Sequence, residues 1–176
     1  MQQVKKNIFL TGAPSSGKTT VIKKVIADLS FLANGFYTEE ERQGKKRVGF
    51  LMTTLDGKTA YLAHQDIKSS FHIRRYGVSI ENIEKVAVPS IMPIKDNAII
   101  LDEIGKMECF SQKFRQAAIC ALDSANIVIG TITLGSDEFI LRIKERDDIE
   151  IDEVTLNNRD LLPNLILKKI SDLGRK

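Results

Sequence analysis

Short apolar runs alternate along this chain with longer stretches in which apolar residues recur at three- and four-residue steps. The runs at residues 7–11 (NIFLT), 98–101 (AIIL) and 127–132 (IVIGTI) are too short for independent helices and read as buried strands. Residues 18–32 carry Val21, Ile22, Val25, Ile26 and Leu29 on one helical face. Asn34-Gly35 is expected to close that helix, because both residues tolerate positive φ. Residues 79–90 read as a second helix with Ile80, Ile83, Val86 and Ala87 inward, limited by Pro89 and Pro93. Further helices are expected over residues 110–122, after Ser136, and after Asn158. Asp137 and Glu138 suit the first turn of the one after Ser136. Residues 149–155 alternate like a strand.

One stretch breaks this plan. Residues 36–41, 48–54 and 59–64 have strand character, with Asp56-Gly57 between the last two as a hairpin signal and Gln43-Gly44 as the preceding turn. The pattern predicts an antiparallel meander, about residues 36–64, inserted into an α/β domain that takes in residues 1–176. Strands alternating with helices imply a mostly parallel sheet with helices on both faces. In such sheets ligands bind beyond the carboxyl ends of the strands. The residues following Leu10, Leu101 and Ile132 are therefore where chemistry is expected.

Composition changes little. A chain of 176 residues, 43% hydrophobic and 28% charged, can bury a single core without disulfide or metal staples. The net charge of +3 comes with basic runs that are scattered rather than clustered, so no clear nucleic-acid surface is expected. Cys109 and Cys120, if they share a helix, stand about 16 Å apart along its axis, too far for a disulfide. Both are expected as buried thiols in a reducing compartment. The longest uncharged stretch, residues 124–136, is thirteen residues long, against about twenty for a membrane span. A soluble, cytoplasmic monomer with no membrane partner is expected.

The residues after the first strand, Gly12-Ala13-Pro14-Ser15-Ser16-Gly17-Lys18-Thr19, fit G-x-x-x-x-G-K-[ST], with a strand before and a helix after as a phosphate-binding loop requires. A glycine-rich turn can point successive backbone N–H groups into one concavity. The helix N-terminus adds about half a unit of positive charge. Lys18 then reaches the β- and γ-phosphates, the Thr19 hydroxyl binds Mg²⁺, and Thr20 is placed to touch the α-phosphate. An accidental match of this kind is expected in fewer than about one such chain in a hundred.

The apolar run ending at Leu101 leads into Asp102 and Glu103. Asp102 is expected to hold the Mg²⁺ shell through water, although a strand ending in Asp is by itself a weak signal. Glu103, one position on, faces away from the metal and is expected to polarise a water in line with the γ-phosphate. The plainer alternative is a partner for Lys106 or an exposed residue. Thr131 and Thr133 could contact the γ-phosphate, or simply be β-branched strand residues. Arg142 and Arg146 lie four apart on one helix face, and Arg146 is favoured as the group that neutralises transition-state charge. The same spacing suits surface ion pairs with Glu138 and Glu145. Asn157-Asn158-Arg159-Asp160 could close the site, or cap a helix.

GAPSSGKTT, GFYTEEER, RVGF with its LDG turn, RRYGVSIENIE, ILDEIGKME, IGTI and VTLNNRDLLP together resemble, in order and over nearly the whole chain, the small P-loop nucleoside-triphosphatases first noted in thermophiles. That family has a human relative called cancer-related nucleoside-triphosphatase. DEIGKME is far more specific than the loop alone. The resemblance implies a RecA-like P-loop domain that hydrolyses nucleoside triphosphates (ATP, GTP, CTP, UTP), and diphosphates more slowly, with broad base tolerance. By position it implies that Gly12 to Thr19 bind phosphates and that Leu101, Asp102, Glu103, Ile104, Gly105 and Lys106 line the nucleotide site. Asp102 falls at the metal acid and Glu103 at the base. Cys109 stands where an apolar residue such as leucine is expected. Two other readings stay open: a phosphotransferase acting on a small or nucleic-acid hydroxyl, and a non-catalytic nucleotide sensor. Glu103 argues against both; the meander, of no evident chemical use, argues for a partner.

Overall fold

The computed structural model describes residues 5–173. The chain runs β1 (Asn7–Thr11), α1 (Lys18–Asp28), β2 (Ala33–Gln43), β3 (Lys46–Thr54), β4 (Thr59–His64), β5 (His72–Ile73) and β6 (Tyr76–Val78). A helical segment follows, made of α2 (Ile80–Asn82), a π-helical turn (Ile83–Ala87) and α3 (Val88–Ser90). Then come β7 (Ala98–Ile104), a 3₁₀ turn (Glu108–Phe110), α4 (Gln112–Asp123), β8 (Val128–Ile132), α5 (Glu138–Lys144), β9 (Ile149–Glu153) and α6 (Leu162–Leu173).

The nine strands among the described residues join one sheet, in the order β5-β6-β4-β3-β2-β7-β8-β1-β9. From β2 to β9 the pairing is parallel; from β2 to β5 it is antiparallel. β2 belongs to both halves: Ala33 to Phe36 pair with β7, and Phe36 to Gln43 pair with β3. One face is covered by α1 and α6, whose Val21, Ile22, Val25, Ile166 and Ile170 pack on Ile8, Leu10, Ile100 and Ile129. The other is covered by the 80–90 segment, α4 and α5, with Ile83, Phe114 and Ile143 packing on Phe9, Phe36 and Leu101.

Several element boundaries differ from the sequence-based expectation. The first helix ends at Asp28, where Leu29 turns to extended backbone, and Asn34-Gly35 does not close it. Those two residues lie inside β2. Gly35 has φ +124, and a Cβ there would stand 1.9 Å from the Ile100 carbonyl oxygen of β7. Glycine is required by close approach between strands, not by a helix cap. Asn34 Nδ2 donates to the Ser90 and Met92 carbonyls at 2.7 and 3.0 Å, tying β2 to the end of α3. β5 and β6 are too short to show alternation, and extend the predicted meander to residue 78. Asp137, not Ser136, caps α5, accepting from the Phe139 N–H at 3.0 Å. Cys109 is buried on the 3₁₀ turn, but Cys120 is exposed on α4, and both thiols are free. No helix among the described residues is long and apolar enough to cross a membrane.

Candidate active site

The loop between β1 and α1 is held by backbone geometry. Gly12 and Gly17 have φ of 138° and 105°, and Ser15 takes 62°. At Gly12 a Cβ would also meet the Val154 carbonyl oxygen at 2.8 Å, so the residue just after β9 stands against the loop. Gly17 precedes the first turn of α1 and its carbonyl accepts from the Val21 N–H at 3.0 Å. The helix opens with Lys18 and Thr19 and has no acid in its first turn, so its free N–H groups present uncompensated positive charge. Lys18 Nζ donates to the Gly12 and Ala13 carbonyls at 2.9 and 3.1 Å, which holds the ammonium over the loop. The Ser16 hydroxyl is buried in the loop with no partner among the described residues.

Asp102, the residue of β7 that follows the core residue Leu101, is 1% exposed. Thr131 Oγ1 donates to its Oδ1 at 2.6 Å, and the Thr38 N–H approaches its Oδ2 at 3.5 Å. The Thr19 hydroxyl faces the same carboxylate. Burial pushes the Asp102 carboxyl above its usual range, and the Thr131 and Thr19 hydroxyls, with Lys18, oppose that shift. Thr131 thus orients the acid rather than reaching a phosphate. A Mg²⁺ ion takes hard oxygen ligands, few of them from protein, and keeps several waters. Thr19 Oγ1 facing the Asp102 carboxylate fits that demand. No cluster of three or more His, Cys, Asp or Glu among the described residues builds a complete protein cage.

Glu103 reaches the wall of a cleft of about 890 Å³ that also takes in Gly12, Lys18, Thr19, Thr133 and Leu134. Its carboxyl is pushed up by burial, and further by the charge of Asp102. The structure adds a third acid. Glu108 is 4% exposed on the 3₁₀ turn. Its carboxyl converges with that of Glu103 over Gly105, where a methyl would lie 2.8 Å from Glu108 Oε2 and 2.9 Å from Glu103 Oε1. Burial, then the neighbouring Glu103, pushes Glu108 well above the usual carboxylate range, against hydrogen bonds from backbone N–H groups of the turn. DEIGKME already contained this acid, but nothing in its spacing marked it as buried.

Glu108 carries a pH prediction. An acid whose pKa is higher in the folded state contributes most stability when protonated. That contribution falls as pH rises from the unfolded value, about 4.3, through the folded one. Glu108→Gln keeps the shape and the acceptor oxygen but cannot ionise. The variant is expected to melt with the wild type near pH 4 and at a higher temperature at pH 7, the gap widening with pH. Superimposed melting temperatures across that range would contradict the assignment.

The other expected site residues divide. Leu101 and Ile104 are core, Gly105 is buried beneath the acids, and Lys106 is exposed on the turn, so none of these four lies on the cleft wall. Arg146 is not brought to the site. It stands just before β9, whose parallel pairing with β1 puts its start at the opposite end of the sheet from the loop. There Arg146 clamps Asp148 through two hydrogen bonds of 2.8 Å and Asp123 at 2.8 Å, and Asp148 accepts from Asn7 at 3.1 Å. This ion pair holds the Asp148 carboxyl below its usual range. Arg142 pairs with Glu138 in solvent. Arg159 is the arginine at the loop: its Cδ lies 3.4 Å from where a Gly17 Cβ would be. Asn158 sets it there, accepting from the Thr155 N–H and donating to the Glu153 carbonyl, both at 2.8 Å. A separate hollow of about 670 Å³ beside α4 and α5 has Arg115 over the Phe139 ring and the thiol of Cys109, which burial pushes up to about 12. It holds no group poised for chemistry.

The chain is similar to known proteins over nearly its whole length. The family model described as NTPase matches residues 7–167. The chain is 44% identical over 162 residues to the nucleoside-triphosphatase THEP1 of Thermotoga maritima, covering 91% of this chain and 92% of that one. It is 34% identical over 180 residues to the human cancer-related nucleoside-triphosphatase, covering 92% and 95%. The crystal structure of THEP1 from Aquifex aeolicus superimposes with a TM-score of 0.85 at 32% identity, covering 93% of this chain and 98% of that one. The RecA-like P-loop α/β architecture expected from the sequence is the fold shared with these neighbours.

Proposed function

The chain belongs to the NTPase family, and from that premise we propose that it hydrolyses nucleoside triphosphates, ATP, GTP, CTP and UTP alike, to the diphosphate and phosphate with Mg²⁺. The observation that carries this reading is Glu103 on the cleft wall beside the phosphate loop, with the Asp102–Thr19 pair behind it. The backbone N–H groups of residues 12–19 and the Lys18 ammonium hold the β- and γ-phosphates. Thr19 and Asp102 would hold Mg²⁺, which would supply charge withdrawal from the phosphate oxygens. Glu103 accepts a proton from a water aligned with the γ-phosphorus. The water oxygen bonds to phosphorus as the bond to the β–γ bridging oxygen breaks. A raised pKa makes the carboxylate a stronger base than an exposed one. Arg159 neutralises charge on the transferring group. Leu134 on the cleft wall and Leu156 in the loop before Arg159, 58% and 72% exposed, offer a base apolar contact without a hydrogen-bond code, which suits broad base tolerance.

The test is phosphate release from the four triphosphates, with Mg²⁺ and with chelator, for wild type, Lys18→Ala, Arg159→Ala and Arg146→Ala. Release from all four, lost with chelator, is expected. Lys18→Ala should weaken nucleotide binding. Arg159→Ala should slow turnover by about 10³-fold if it acts as arginine fingers do. Arg146→Ala should keep turnover and lose on the order of 2 kcal/mol of stability, its charged hydrogen bonds being partly exposed. Release only after addition of an acceptor alcohol would replace hydrolysis with phosphotransfer. Equal slowing by the two arginine variants would remove the assignment of Arg159.

A further inference from the structure

Hydrolysis asks for a nucleotide and a water, and leaves the outer half of the cleft unused. The cleft continues past Glu103 and β2 onto the antiparallel extension, where Arg47, Phe50, Ile73, Arg74 and Tyr76 line it. Strand order fixes the direction. From β1 the sheet runs through β8 and β7 to β2, β3, β4 and β6. The outer half therefore lies on the far side of Glu103 from the phosphate loop, while β9 and Arg159 flank the loop on the other side.

The wall there combines flat faces with cations. The Arg47 guanidinium lies 4.9 Å from the Phe50 ring centroid and 5.6 Å from that of Tyr76, and Arg75 lies 5.2 Å from Tyr76. The Tyr76 hydroxyl accepts from Arg75 at 3.0 Å and donates to the Arg47 carbonyl at 3.1 Å, so this stack is locked. Glu40 grips Arg47 from the β2 side. Arg74 differs. It sits at the β5–β6 turn with φ 54, is exposed, and has no ion pair or hydrogen bond through its side chain among the described residues. Tyr76 is buried beneath these cations, so the faces open to a planar ring are the half-buried Arg47 guanidinium and Phe50 ring. A free guanidinium takes a phosphate. The Glu39 and Glu40 carboxylates on the same wall can accept from ring N–H groups.

We propose that the outer cleft is a second ligand subsite, taking a phosphorylated molecule with a planar nitrogenous ring, of the nucleoside-monophosphate class, while a triphosphate occupies the phosphate loop. The proposal rests on the placing of the triphosphate given above. It also gives the extension a role: three antiparallel strands with no part in the loop supply most of this wall.

The test is calorimetric titration of AMP, GMP, CMP and UMP into the full chain already saturated with Mg²⁺ and β,γ-imido-ATP. Binding of at least one monophosphate, one molecule per chain, is expected, weakened about tenfold or more by Arg74→Gln and by Arg74→Glu. Arg74 lies on an exposed turn, and a thermal melt matching wild type will show each variant folded. No binding to the filled complex overturns the proposal. So does binding seen only without the analogue, because the monophosphate then merely enters the phosphate loop. Unchanged affinity in both Arg74 variants overturns it as well. Phosphate release without monophosphate is read separately, so loss of the subsite and loss of hydrolysis are distinguishable.

Discussion

Glu103→Gln is expected to bind nucleotide as the wild type does and to lose turnover by about 10²- to 10⁴-fold, the range of a positioned general base. The substitution preserves volume and hydrogen-bonding length at a side chain packed against Gly105 and Glu108, so the wall should keep its shape. It also removes one negative charge from a crowded set of acids, and nucleotide affinity should hold or rise. Phosphate release in a single turnover, with binding followed by a fluorescent nucleotide, separates the two effects. Hydrolysis within a few-fold of wild type would remove Glu103 from the mechanism. Loss of binding along with turnover would point to a structural role instead.

Gly35→Ala is expected to be severely destabilising, on the order of 4 kcal/mol or more. Two penalties coincide. The backbone is at φ +124, and the added methyl would lie 1.9 Å from the Ile100 carbonyl oxygen. Ile100 is itself fully buried between β2 and β8, so the strand cannot yield sideways. A chemical denaturation curve will measure the loss. A midpoint near that of wild type would mean that β2 can move away from β7 without consequence. By contrast, nothing lies within 4 Å of a Cβ at Gly57, where φ is +91; there only the backbone penalty applies, and the loss should be near 1 kcal/mol.

The sequence pattern was most legible where burial is one-sided or complete. β1, β8, α1 and α4 follow from apolar spacing, and the phosphate loop from residues whose backbone role is local. Asn34-Gly35 misled because the same tolerance for positive φ serves a helix end and a close strand crossing; only the neighbour, Ile100, separates them. Arg146 misled for a topological reason. Four-residue spacing places it on a helix face, but the direction of β9 decides which end of the sheet that helix reaches. Glu108 carries no such signal, because a buried acid and a solvated one look alike in one dimension. Arg159 was in view beside Asn158, yet its approach to Gly17 depends on how the loop after β9 folds back.

β2 contributes its first residues to the parallel half and its remainder to the antiparallel half, and Thr38 of the second portion offers its N–H to Asp102. The extension is therefore not an ornament that could be trimmed to leave a minimal catalytic unit. A chain shortened at this strand would lose a donor to Asp102 and expose the edge of β7 at once. For anyone engineering the molecule, the place for an inserted tag or a new connection is the Gly44 or Gly57 turn, where added atoms meet nothing within 4 Å.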